Sequence, residues 1–204
     1  MRANRALQTL AFAAAALAGI TGCSSTPVAT PPAPSPSSSA GTLPHSGAPK
    51  VEHPLPASAL SGDPCQEALT SAQLKEILGT APQGARDDSA VGPACNWHAD
   101  AAVGVSYATQ THEGLSAVYK NTKPQSKVWR PLPAIQGFPA VGHAPDSSDT
   151  PNDFCQVSVG IRDDLSFDTS LFLSSGKVGK ADPCELAAQV AGMVVTNLRA
   201  RAGA

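Results

Sequence analysis

Aromatic side chains are scarce in this 204-residue chain, with two Trp, two Tyr and five Phe. So few rings leave little from which to build the stacking platforms that nucleic-acid binders use. No run of clustered Lys and Arg occurs either, which argues against nucleic acid as a partner and against polybasic docking to a membrane. Catalytic signatures are missing as well. There is no H-E-x-x-H, no G-x-S-x-G, no S-x-x-K with its companion motifs and no glycine-rich phosphate cradle. Cys-x-x-Cys is absent, which counts against thioredoxin-like redox work. The sequence therefore names no catalytic residue, no metal site and no cofactor.

What is present begins with an address. Arg2 and Arg5 precede an uncharged, mostly apolar run from Leu7 to Ile20. That run is shorter than the ~20 residues a membrane-spanning helix needs, so residues 1–22 read as a lipoprotein signal peptide. It ends in "ITGC", a bulky residue, two small ones and Cys23, which is the lipobox pattern for acylation at Cys23. Two or three acyl chains, at ~0.8 kcal/mol per buried CH₂, would hold the chain on the outer face of the cell membrane. Without Arg2 and Arg5 the chain has 12 basic against 16 acidic side chains, a net charge of −4.

Residues 23–60 are rich in proline, serine and alanine and show no apolar periodicity. Such a segment cannot bury enough surface to offset its ordering entropy, so a disordered tether is expected there, with His45 and His53 as solvated linker side chains. Residues 61–204 form one domain, large enough to bury more than about 65% of its unfolded surface. "GDPC" at Gly62–Cys65 and "ADPC" at Ala181–Cys184 each open a helical pattern. Asp63 and Asp182 suit N-caps, and Pro64 and Pro183 suit the first helical position, where a missing N–H costs nothing. Thr70 and Gln73 make a capping box ahead of Leu74, Ile77 and Leu78, and Gly79 stops that helix. Glu185 suits a similar box ahead of Leu186, Val190, Met193, Val194 and Leu198.

Between the two helical regions the period changes to two. Cys95, Trp97, Val103, Val105 and Tyr107 alternate, as do Cys155, Val157, Val159 and Ile161, with Asp163-Asp164 as a turn into the next strand. Leu115 to Tyr119 suits a short helix. "VWRPLPAIQGFPAVGHAP" carries too many prolines for a central strand and reads as an edge strand followed by a loop. The pattern predicts an α+β fold, an antiparallel sheet flanked by N- and C-terminal helices.

Cys65, Cys95, Cys155 and Cys184 admit three readings. A thiol at a helix N-terminus has a lowered pKa and can be a nucleophile; it can also bind metal or pair. An extracytoplasmic address and an even count favour two disulfides, and four scattered thiols lack the close pairs of a zinc site. Cys65–Cys95 with Cys155–Cys184 ties each helix start to a nearby strand and is favoured; Cys65–Cys184 with Cys95–Cys155 is the alternative. Loops of this size imply about 3–4 kcal/mol each in the chain-entropy model.

The ordered set "GDPC…LG", "CNW", "FCQV" and "DPCELA" resembles an actinobacterial cell-envelope lipoprotein family described only as a domain of unknown function. More loosely, two disulfides in a helix-flanked sheet are similar to extracytoplasmic sensor domains of mycobacterial receptor kinases. The resemblance implies an envelope address and an α+β sandwich, and it transfers no activity.

Few residues remain as site candidates. Trp129 and Arg130 sit side by side in the proline-stiffened stretch, with Phe138 and His143 following, and this region suits a lip for an envelope protein, a lipid or a small ligand. Trp97 beside Cys95 suits the core, and His98 alternates with it onto the wet face. Asp146 to Asp149 is oxygen-rich but lacks calcium-loop spacing and reads as a polar loop. The expected function is that of a membrane-anchored binding or accessory module. The alternatives are an envelope hydrolase whose site, around His98 or His143, assembles only in three dimensions, and a thiol-disulfide redox protein.

Overall fold

The computed structural model describes residues 42–145 and 152–203. Seven strands make one antiparallel sheet: β1 Ala85–Arg86, β2 Ala94–His98, β3 Ala102–Ala108, β4 Ser126–Ile135, β5 Phe138–Pro145, β6 Phe154–Gly160 and β7 Ser166–Phe172. Their order across the sheet is β1-β2-β3-β7-β6-β5-β4. Two meanders, one from each edge, thus meet in the middle, where β3 pairs with β7 along its whole length. The helices are α1 Pro64–Glu67, α2 Ser71–Leu78, α3 Leu115–Ala117 running into a π-helical turn at Val118–Thr122, and α4 Pro183–Ala202. No described helix is long and apolar enough to cross a membrane.

The period-two patterns place one face of the sheet against α4. Trp97, Val103, Val105, Tyr107, Phe167 and Val157 are all buried there. From the helix side Val190, Ala191, Val194, Val195 and Leu198 are buried in turn. Burying each large apolar side chain contributes roughly 1.5–3 kcal/mol, so this layer dominates the stability of the fold. Thr169, also buried, donates to the Ala187 carbonyl at 3.1 Å and fixes the helix on the sheet.

Local chemistry sets the helix starts. The Asp63 carboxylate accepts from the Cys65 N–H at 2.9 Å, and that of Asp182 accepts from Cys184 at 2.8 Å and Glu185 at 3.4 Å. Thr70 and Gln73 form both halves of their box, and Gly79 closes α2 at φ 75°. Glu185 is exposed, and its backbone N–H, one of the two at the Asp182 cap, is its part in that cap.

The cysteines pair as neighbours in sequence. Cys65 joins Cys95, and Cys155 joins Cys184. Each bond ties a residue just inside a capped helix to a strand, α1 to β2 and α4 to β6. Trp97 packs beside the first: a Cβ on Gly84 would meet both Cys95 Sγ and Trp97 Nε1, at 2.5 and 2.8 Å.

Two expectations need correction. The tether was expected to reach residue 60, but the segment from 42 onward is part of the domain. Val51, Leu55, Ala59 and Leu60 are core residues, and residues 57–60 form a 3₁₀ turn. The backbone is tied down as well: the Val51 N–H donates to Asp163 Oδ1 at 2.8 Å and the Leu55 N–H to the Ile161 carbonyl at 3.0 Å. The His45 backbone N–H donates to the buried Ser116 hydroxyl, and its imidazole, expected to be solvated, is partly buried with Nε2 3.9 Å from Glu113 Oε2. These apolar anchors suffice because Pro54 and Pro56 between them reduce the entropy lost on ordering.

The proline-rich stretch is the second. Its first half is the expected edge strand, β4, but the expected loop is a second strand, β5, which completes a hairpin and lies inside the sheet. Pro131 and Pro133 are tolerated because β4 has one unpaired side. Pro139 and Pro145 are tolerated because only Ala140 to His143 of β5 pair with β6. Gln136 and Gly137, at φ 51° and 90°, make the tight turn. The Gln136 amide then donates to Gly192 O and Thr196 Oγ1 on α4, both at 2.8 Å.

Candidate binding site

Alternation along β4 sends Trp129 and Arg130 to opposite faces of the sheet, so the lip expected from the sequence divides in two. Phe138 belongs to neither part. It is a buried core residue just past the hairpin turn, at the far end of β5 from His143.

On the outer face, Trp129 pairs with His143 across the ladder, and their rings stack at 6.0 Å with 25° between planes. Tyr119 meets Trp129 edge-on at 4.9 Å, and the Lys123 ammonium lies 5.5 Å from the Trp129 centroid. His143 Nε2 sits 3.0 Å from Ser158 Oγ, and the Ser158 hydroxyl donates to Asp168 in a short hydrogen bond. Burial pulls the His143 pKa down to about 4. Burial also pushes the Asp168 carboxyl up, against the hydrogen bonds from Ser158 and Gln156.

Acid, hydroxyl and imidazole are thus connected, but in the order Asp–Ser–His. The serine oxygen is the bridge, and Ser158 is wholly buried, so no substrate carbonyl reaches it. His98 is exposed at the end of β2, and His112, also exposed, lies in the loop after β3.

The inner face holds a different arrangement. Arg130 Nη1 bonds Asp182 Oδ2 at 2.7 Å, while the other Asp182 oxygen caps α4. Partial burial alone would raise the Asp182 carboxyl; the Arg130 hydrogen bond and the Cys184 N–H outweigh it and hold the group below the usual range. Asp182 thereby fixes one guanidinium nitrogen and leaves the rest of the fork facing an open cleft of about 650 Å³. Lys127, Arg130 and Lys180 line this cleft, with Val128 and Phe154 as its apolar wall and the Cys184 end of the disulfide at its floor.

Of the sequence candidates, then, Arg130 lines the cleft, Trp129 and His143 lie on the opposite face, and Phe138 lies in the core. Lys127, Lys180 and Asp182 were missed as site residues. One linear signal could have found them. From 114 to 145 there is no acidic residue but four basic ones, and 169–181 repeats the pattern with Lys177 and Lys180. Cys23 and the Asp146–Asp149 stretch lie outside the described residues. Among the described residues no group of three or more His, Cys, Asp or Glu is placed to hold a metal ion.

Fold and cleft together define a disulfide-stapled α+β domain with an open, cation-lined cleft where a hairpin meets a capped helix. A family model, "Protein of unknown function (DUF3558)", matches residues 18–197, and the chain belongs to this family. No curated protein matches it, and no solved structure does.

Proposed function

We propose that the protein is an extracytoplasmic lipoprotein, anchored through Cys23, whose domain serves as a binding or accessory module of the cell envelope. The observation that carries this reading is the cleft. It is an open concavity of about 650 Å³ that combines cationic side chains with an apolar wall, and its floor is stapled by Cys155–Cys184. Mixed lining on a rigid frame is the general character of ligand sites. The lipobox at Cys23 and the disulfides agree on a compartment outside the cytoplasm.

The test uses the full chain on intact cells. A photo-reactive residue at Val128, in the cleft, is expected to give a discrete adduct that Arg130→Glu abolishes. The same probe at exposed Val91, lining a separate shallow depression, is the control. Equal labelling from both positions refutes the site. Retention of a Cys23→Ala chain on washed membranes refutes the anchor.

A further inference from the structure

We propose that the outer face of the sheet carries a second site, a hollow for an uncharged glycan where residues 121–126 meet β5 and β6. The hollow measures about 440 Å³, within the range of about 300–1,000 Å³ usual for ligand pockets. Its polar lining is Asn121, Thr122, Gln125, Ser126, His143 and Gln156. Each of these side-chain types, with the imidazole neutral, both donates and accepts hydrogen bonds, as every sugar hydroxyl does. Burial keeps the His143 ring uncharged down to about pH 4. No described Lys, Arg, Asp or Glu lines the hollow. A phosphate or carboxylate would find no cation there, and a cationic ligand no carboxylate. A hydrocarbon would strand six polar side chains. The lysines on either side of Gln125 and Ser126 are placed elsewhere: Lys123 lies over the Tyr119 and Trp129 rings at 5.4 and 5.5 Å, and Lys127 lines the cleft. Strands β6 and β7 contain no Lys, Arg or Glu, and Asp168, their one charged residue, accepts from Ser158.

Phe154 and Pro145 complete the lining with an apolar wall. A sugar ring sets hydroxyls at its edge and C–H groups on its faces, and the electron-rich face of Phe154 suits those C–H groups. Phe172 supports Phe154 at 4.5 Å. The polar groups are held in place before any ligand arrives. Gln125 Nε2 donates to the Asn121 carbonyl at 2.7 Å and Ser126 Oγ to the Thr122 carbonyl at 2.9 Å. His143 and Gln156 are cross-strand partners, and Cys155, between Phe154 and Gln156, is stapled to Cys184. A preformed site loses less entropy on binding.

The experiment uses the chain from Ser24 onward, which lacks both leader and acyl site yet keeps the compact unit from residue 40 with its core and both disulfides. Maltotriose, mannotriose and chitotriose are titrated in turn by ligand-observed NMR. At least one is expected to bind, with an affinity unchanged as salt rises. Asn121→Ala and Gln125→Ala should each weaken binding about fivefold, and together about 25-fold. Both positions are exposed, so the urea midpoint of the double variant should match the parent. Phe154→Leu should weaken binding, while Phe154→Trp, which keeps an aromatic face, should retain it. Absence of binding by all three sugars at about 10 mM would overturn the proposal. Undiminished binding by the double variant, or equal binding of acetyl-trialanine amide, an uncharged peptide, would overturn it too.

Discussion

Leu55→Ala tests whether the proline-rich segment before residue 61 is tether or domain. Leu55 is 3% exposed, and its N–H and carbonyl are both bonded, to the Ile161 carbonyl and to Arg162 Nη1. A tether residue would cost nothing to truncate. A core leucine costs its transfer free energy plus the cavity left behind, typically about 2–5 kcal/mol. Backbone bonds on both sides limit collapse of the site, so about 3 kcal/mol is expected. For a domain of this size that lowers Tm by about 6–12 °C. In urea, with a slope near 2 kcal/mol/M, the midpoint falls by about 1.5 M. The assay is equilibrium unfolding by circular dichroism with the disulfides oxidised. Glu52→Ala, an exposed position on the same segment, should stay within about 0.5 kcal/mol of the parent. Matching curves for Leu55→Ala and Glu52→Ala would refute the packing.

Replacing both Cys155 and Cys184 by Ala opens a 29-residue link and should cost about 3.6 kcal/mol in the chain-entropy model, read as a lower urea midpoint. An unchanged midpoint would leave that staple without a stabilising role. Gly114, at φ 49°, has its Cβ direction 2.5 Å from the Asp163 carbonyl oxygen, so Gly114→Ala should cost at least about 2 kcal/mol by the same assay. His143 titrates near 4 when folded and near 6.5 when unfolded, so its contribution is complete above pH 6.5 and lost as pH falls toward 4. The loss is of order 3 kcal/mol, and His143→Gln should flatten that limb of the stability profile. Asp168 works the other way: its raised pKa contributes fully below the unfolded value and is lost as pH rises from there. Asp168→Asn should therefore gain most, relative to the parent, on the alkaline side of that window.

Much of the fold was legible because its signals are local. An aspartate followed by proline meets the needs of a helix start within three residues, and the Asp63 and Asp182 caps formed as the sequence suggested. Alternation along β6 placed Cys155, Val157, Val159 and Ile161 in the core. The candidate site was less legible. Trp129 and Arg130 are adjacent in sequence, and for that reason a strand directs them to opposite faces. Lys127 and Lys180 are fifty-three positions apart in the chain, and only the packing of β4 beside the start of α4 brings them to one cleft.

By itself the sequence determined the period of each element, the caps that start and stop the helices, and four thiols suited to pairing. Each of these depends on residues a few positions apart, or on composition. Tertiary structure alone decided that residues 42–60 join the core, that proline-bearing β5 lies inside the sheet, and that Lys127, Arg130 and Lys180 line one cleft. Those outcomes depend on which distant surfaces meet, and burial free energy, unlike a cap or a turn, is settled only when they do.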